Sequence, residues 1–149
     1  MNLVKIFALS GLLLMTSQFT FAAGNAVGTD FIRMLDSGQI VGNSFNIFYQ
    51  KPLVKGNAAW FGLALANNND LMLEAAYKAY TGSYMSGVYY QAGIGVFDTV
   101  NNDNIGLTGA IGYESSPAPG FLFFGTVKGM VVPNNGFQYT PMLGAMFVF

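Results

Sequence analysis

From Leu71 onward the chain alternates two kinds of residue, and that alternation limits the folds open to it. In Leu71–Tyr80 one set of alternate residues is Leu71, Leu73, Ala75, Tyr77 and Ala79, and the other is Met72, Glu74, Ala76, Lys78 and Tyr80. A repeat of two is the repeat of a strand, whose successive side chains point to opposite faces. The next segment sets Tyr84, Ser86, Val88, Tyr90, Ala92, Ile94 and Val96 against Met85, Gly87, Tyr89, Gln91, Gly93, Gly95 and Phe97. After it, Ile105, Leu107, Gly109, Ile111 and Tyr113 oppose Gly106, Thr108, Ala110, Gly112 and Glu114. Phe121, Phe123, Gly125, Val127, Gly129 and Val131 then oppose Leu122, Phe124, Thr126, Lys128, Met130 and Val132. One face is always apolar and aromatic, while the other mixes small residues with the few charges. No stretch of useful length has a repeat of 3.6, so the fold class is all-β.

Short clusters of Asn, Asp, Gly, Pro and Ser divide these segments. They are Lys51–Gly56, Asn67–Asp70, Thr81–Ser83, Asp98–Asn104, Ser115–Gly120 and Pro133–Gly136. Between and around them lie seven strand candidates. No linker, charge block or fixed-period repeat interrupts them, so the segments read as one domain.

The direction of the two faces decides between a soluble barrel and a membrane barrel. Charged residues make up 9% of the chain, against roughly a quarter in an ordinary soluble domain. Were the mixed faces turned to water, they would present Gly93, Gly95, Gly106, Ala110 and Gly112, a poor soluble surface. Turned into a narrow lumen, the same small residues fit and the charges can pair. On the apolar faces from Leu71 onward stands no Asp, Glu, Lys or Arg. A charge facing lipid at mid-membrane would cost about 2–4 kcal/mol. The alternative, a soluble lipocalin-like ligand-binding barrel, requires apolar faces turned inward.

The first residues, MNLVKIFALSGLLLMTSQFTFAAGN, place Lys5 before an apolar run from Ile6 to Met15 and end in small residues at Ala22 and Ala23. This is the order of a secretory signal peptide. The apolar run is short against the roughly 20 residues of a spanning helix. Residues 1–22 are therefore read as a removed leader and residues 23–149 as a single barrel domain. With no Cys there is no disulfide framework and no thiolate metal site. With no His the chain lacks the commonest general base and metal ligand. A net charge of −1 offers no field for nucleic acid.

The end of the chain reads Met142-Leu143-Gly144-Ala145-Met146-Phe147-Val148-Phe149. With the leader and the alternating strands, it resembles the small bacterial outer-membrane β-barrels of the OmpA/OmpX type. Their assembly signal runs polar, any, Gly, any, any, aromatic, any, terminal aromatic; here Gly144, Phe147 and Phe149 match and Met142 departs from the polar first position. The resemblance implies an antiparallel up-and-down transmembrane barrel, outer-membrane lipid around it, and barrel-assembly machinery and periplasmic chaperones as partners. Such barrels have an even number of strands, so the seven candidates imply an eighth. Val27–Leu35 is expected as the first strand and Gln39–Gln50 as the second. Eight strands enclose an interior filled by side chains, not an open pore. Lys51–Gly56, Thr81–Ser83 and Ser115–Gly120 then face the periplasm and the remaining breaks face outward. The outward loops are short, which weighs against an adhesin or a receptor for a bulky ligand.

The candidate site is a polar network in the lumen. Glu74 and Lys78 share a face, Glu114 and Lys128 have the same inward parity, and Gln91, Thr126 and Gln138 accompany them. The network reads as a structural plug or as a gate. Asp98–Asn104 is rich in oxygen ligands but lacks the spacing of a calcium loop, and reads as a solvated turn. Tyr84, Tyr113, Phe121, Phe137, Tyr139, Phe147 and Phe149 read as interfacial girdles. Pro141, inside the last strand, marks a bulge or a local gap in pairing. Gly125 and Gly129 leave a shallow outer groove, read chiefly as local strand bending. No cofactor is expected. Barrels of this size that modify lipids use a His with a Ser, so the expectation is a structural or minimally conducting barrel without catalysis.

Overall fold

The computed structural model describes residues 24–32, 45–65, 71–99, 102–132 and 136–149. Eight strands form one closed antiparallel barrel in chain order: β1 (Ala26–Asp30), β2 (Phe45–Pro52), β3 (Asn57–Leu65), β4 (Leu71–Tyr80), β5 (Gly87–Thr99), β6 (Asn102–Ala118), β7 (Phe121–Val132) and β8 (Gly136–Val148). β8 returns to pair with β1, and Asn25 and Phe149 exchange two backbone hydrogen bonds of 3.1 and 2.9 Å just beyond that ladder. Closure removes the sheet edges that would otherwise template aggregation.

The interior is packed. Ala26, Phe48, Trp60, Met85, Leu122, Phe124, Met142 and Met146 form its apolar core, with the Phe48 and Trp60 rings 4.9 Å apart. The parity of the sequence holds through β4 to β8: Glu74, Gln91, Thr108, Glu114, Lys128 and Met146 are buried, while Leu73, Tyr90, Ile105, Val127 and Phe147 are exposed. On the exterior, Tyr49, Tyr77, Tyr90, Tyr113, Phe121 and Phe147 stand toward the strand ends on the side that holds Phe149, and Phe61 stands at the middle of β3. Tyr49 stacks on Phe61, and Phe147 packs between Phe121 and Phe149.

The strand ends depart from the sequence reading. β1 stops at Asp30 rather than Leu35: Phe31 and Ile32 are helical, and the Ile32 N–H donates to the Asp30 carboxylate at 3.0 Å. That side-chain bond turns the backbone away from the ladder; residues 33–35 lie outside the described residues. β2 is described from Phe45, so residues 39–44 of the expected second strand also lie outside, and it runs on to Pro52. β5 begins at Gly87, not Tyr84. Residues 81–86 form a turn in which Met85 takes φ 61° and buries its side chain in the barrel mouth. Tyr84 is therefore not an exterior girdle residue: it is half-buried, and its hydroxyl donates to the Gly24 carbonyl at 2.5 Å. Burial pushes that hydroxyl up to about 12.

β6 continues through Ser115–Ala118, read from sequence as loop, with a register shift where it meets Phe121–Phe123. Ser116 steadies this end by donating to the Phe121 carbonyl at 2.8 Å. Of Asp98–Asn104, read from sequence as a solvated turn, Asp98 pairs opposite Asp103 and Thr99 opposite Asn102 at the end of the β5–β6 ladder, and residues 100 and 101 lie outside the described residues. The expected leader (1–22), Asp36–Gly38, residues 67–70 and residues 133–135 lie outside the described residues.

Candidate functional site

Strand register sets the charged lumen. Lys78, Gln91, Ala110 and Lys128 occupy one cross-strand row over β4, β5, β6 and β7. Glu114 stands four residues from Ala110 along β6, and Glu74 four residues from Lys78 along β4. The lysines reach out of their shared row in opposite directions. Lys78 pairs with Glu114 and Lys128 pairs with Glu74. Side-chain exposures are 2% and 0% in the first pair and 1% and 0% in the second, so both are removed from water. Glu74 and Lys78, neighbours on one face of β4, pair across the lumen and not with each other.

Each pair is enclosed by further polar and aromatic groups. In the first, Lys78 Nζ also donates to Gln50 Oε1 at 2.7 Å. Gln50 Nε2 donates to the Tyr80 hydroxyl at 2.8 Å, and that hydroxyl donates to Glu114 Oε2 at 2.5 Å. Lys78, Gln50, Tyr80 and Glu114 thus form a closed ring of hydrogen bonds. The ammonium lies 3.9 Å from the centroid of the Tyr89 ring. In the second cluster, Glu74 Oε1 accepts from Thr108 Oγ1 at 2.8 Å and from Gln91 Nε2 at 3.4 Å, while Lys128 Nζ sits 4.8 Å from the Trp60 centroid. A buried ion pair repays its desolvation only when its remaining lone pairs and protons are also satisfied. Both carboxylates meet that condition with neutral donors.

A cavity of about 10 Å³, bordered by Lys78, Tyr89, Gln91, Thr126 and Lys128, separates the clusters. This is room for about one water. All five residues of the expected network, Glu74, Lys78, Gln91, Glu114 and Lys128, lie in the lumen, as two clusters and not one. Thr126 borders the cavity but donates to the Ile111 carbonyl at 2.7 Å. Gln138, opposite Met130 on β8, is outside both clusters. The sequence reading left out Gln50, Tyr80, Thr108, Tyr89 and Trp60. Of these, Tyr80, Tyr89 and Thr108 carried the signal, since each shares the inward parity of the charges. Among the described residues no group of His, Cys, Asp or Glu side chains is arranged to hold a metal.

At the chain end, Gly144 faces inward, Phe147 is exposed and Phe149 is partly exposed. The outer groove at Gly129 is partly filled: a β-carbon there would meet the Phe137 ring at 2.9 Å. The chain matches no known protein family, curated protein or solved structure.

Proposed function

We propose that this chain is an integral outer-membrane β-barrel with a structural or minimally permeable role and no catalysis. The observation that carries the reading is its inverted polarity. Among the described side chains of the strands, Lys51, at the end of β2, is the one charge on the outside. Asp30, Glu74, Lys78, Glu114 and Lys128 are buried within. Outside stand large apolar residues such as Ile94, Ile105, Leu107, Val127, Phe137 and Leu143, each more than half exposed. Over so much of the surface, apolar exposure marks a partner or a membrane. β3 and β4, at 9 and 10 residues, match the roughly 9–11 of a tilted transmembrane strand, and β7, at 12, exceeds it by one. The packed interior supports a plug rather than a pore. It also speaks against a soluble ligand carrier, whose cavity would need several hundred Å³ for a drug-sized ligand.

On this reading, residues 1–22 direct export and are removed, periplasmic chaperones hold the chain, and the assembly machinery reads Gly144, Phe147 and Phe149. Carbonate washing of membranes tests the location, and a heat-dependent shift on a denaturing gel tests the folded barrel. The protein is expected to stay in the membrane pellet and to shift on boiling. Recovery wholly in the soluble fraction overturns the proposal. In planar bilayers the folded protein should conduct weakly or not at all, and a stable, large conductance would replace the plug with a channel.

A further inference from the structure

The seam between β1 and β8 closes the barrel, and it is short: five residue pairs, from Ala26 opposite Val148 to Asp30 opposite Gly144. β8 extends beyond it through Leu143 to Gly136, paired with β7 on its other edge. Toward β1, the donors of β8 are odd-numbered. Phe149 N–H donates to the Asn25 carbonyl, and Leu143 N–H donates at 3.1 Å to the Asp30 carboxylate, which takes the place of a strand carbonyl. Alternation along the strand puts the nitrogen of residue 141 on that same edge, and residue 141 is proline, which has no N–H. The β7–β8 register is continuous where Val127 faces Pro141. Pro141 therefore marks a gap on the β1 side and not a bulge.

β1 is ended from its other flank as well. Asp30 N–H donates to Asn46 Oδ1 at 2.7 Å, and Asn46 Nδ2 donates to the Asp30 carbonyl at 3.1 Å. The Asn46 carboxamide thus occupies both backbone groups of Asp30, as a neighbouring peptide would. Close packing backs this up. A β-carbon on Gly28 would fall 2.1 Å from the Ala145 carbonyl oxygen, and one on Gly144 would fall 2.1 Å from that of Thr29.

A slip of one residue at this seam would turn every side chain to the wrong face. A slip of two keeps the faces, so polarity does not forbid it. We infer that Asp30, Asn46 and Pro141 form a register stop, which fixes how far β1 zips onto β8 when segments 113 positions apart meet. The stop rests on strand pairing alone and holds whatever medium surrounds the barrel.

The chain has no cysteine, so introduced pairs report the register. In full-length protein folded in membranes or detergent, Thr29→Cys with Ala145→Cys marks the native register. Val27→Cys with Ala145→Cys marks the two-residue slip, because those positions natively stand diagonally, too far apart to bridge. With Asp30 and Pro141 intact, oxidation should join only the 29/145 pair. With Pro141→Val and Asp30→Ala together, joining of 27/145 should rise about tenfold, the scale of a regained hydrogen bond, and with Pro141→Val alone it should rise less. Asp30→Asn, which keeps an oxygen acceptor, should hold the native register. The inference is overturned if 27/145 stays at background in heat-shifting barrels of both Pro141→Val and the double variant. Should the double variant not fold, Pro141→Val decides. Strong 27/145 joining in the unaltered background overturns it equally.

Discussion

Replacing Lys128 by Met tests whether the lumen is as dry as its geometry requires. The side chains of Lys128 and Glu74 are 1% and 0% exposed, so the substitution leaves a carboxylate in the interior without its ammonium. Breaking one side of a buried pair costs about 3–5 kcal/mol. Glu74 keeps its hydrogen bonds from Thr108 and Gln91, which puts the expected loss near about 3 kcal/mol. Replacing both partners, Glu74→Leu with Lys128→Met, removes the charge and its desolvation together. That double variant should lie within about 1 kcal/mol of the parent or above it, so that the second substitution recovers most of the roughly 3 kcal/mol lost to the first. Denaturant unfolding followed by the fluorescence of Trp60, the single tryptophan, measures this. Its ring lies against Lys128, so midpoints and slopes should be compared rather than amplitudes. A single-variant loss below about 1 kcal/mol, the scale of an exposed pair, would refute the reasoning, as would a double variant no better than the single.

Deleting Phe149 removes the paired backbone hydrogen bonds to Asn25 and the stacking on Phe147; membrane yield should fall several-fold, and an unchanged yield counts against its role in assembly. Gly144→Ala drives a β-carbon to 2.1 Å from the Thr29 carbonyl and 2.4 Å from the Phe124 ring. It should cost about 3 kcal/mol or more, read as loss of the heat-resistant band. Tyr84→Phe removes the hydroxyl that donates to Gly24 and should cost about 1 kcal/mol at neutral pH. Because the folded state holds that proton to about 12 against about 10 when unfolded, the advantage over Tyr84→Phe is complete below about pH 10. It should fade between about 10 and 12 in denaturation midpoints taken across that range.

Parity was legible in the sequence because the side-chain repeat of a strand follows from its backbone alone. Leu71 to Val131 could thus be sorted into two faces without knowing any partner. Ends were not legible. Tyr84 and Met85 continue the alternation into a turn that only the backbone of Met85 and Gly87, both at positive φ, gives away. Ser115 to Ala118 are turn formers that the bulged end of β6 absorbs. Nor does parity say which charges meet. Glu74 and Lys78 share a face, but four residues of strand separate them by about 13 Å, so each partner has to come from across the lumen. Which partner comes depends on the stagger of the whole barrel, and stagger is a property of closure, linked to strand tilt and diameter. A two-residue slip between β1 and β8 would change that stagger. The four charged side chains, however, stand on β4, β6 and β7, whose mutual registers run through β5 and do not cross that seam. The pairing of Lys78 with Glu114 and of Lys128 with Glu74 is therefore set by the registers of β4 to β7, and the seam bears on it only through the tilt and diameter that closure imposes on the whole barrel.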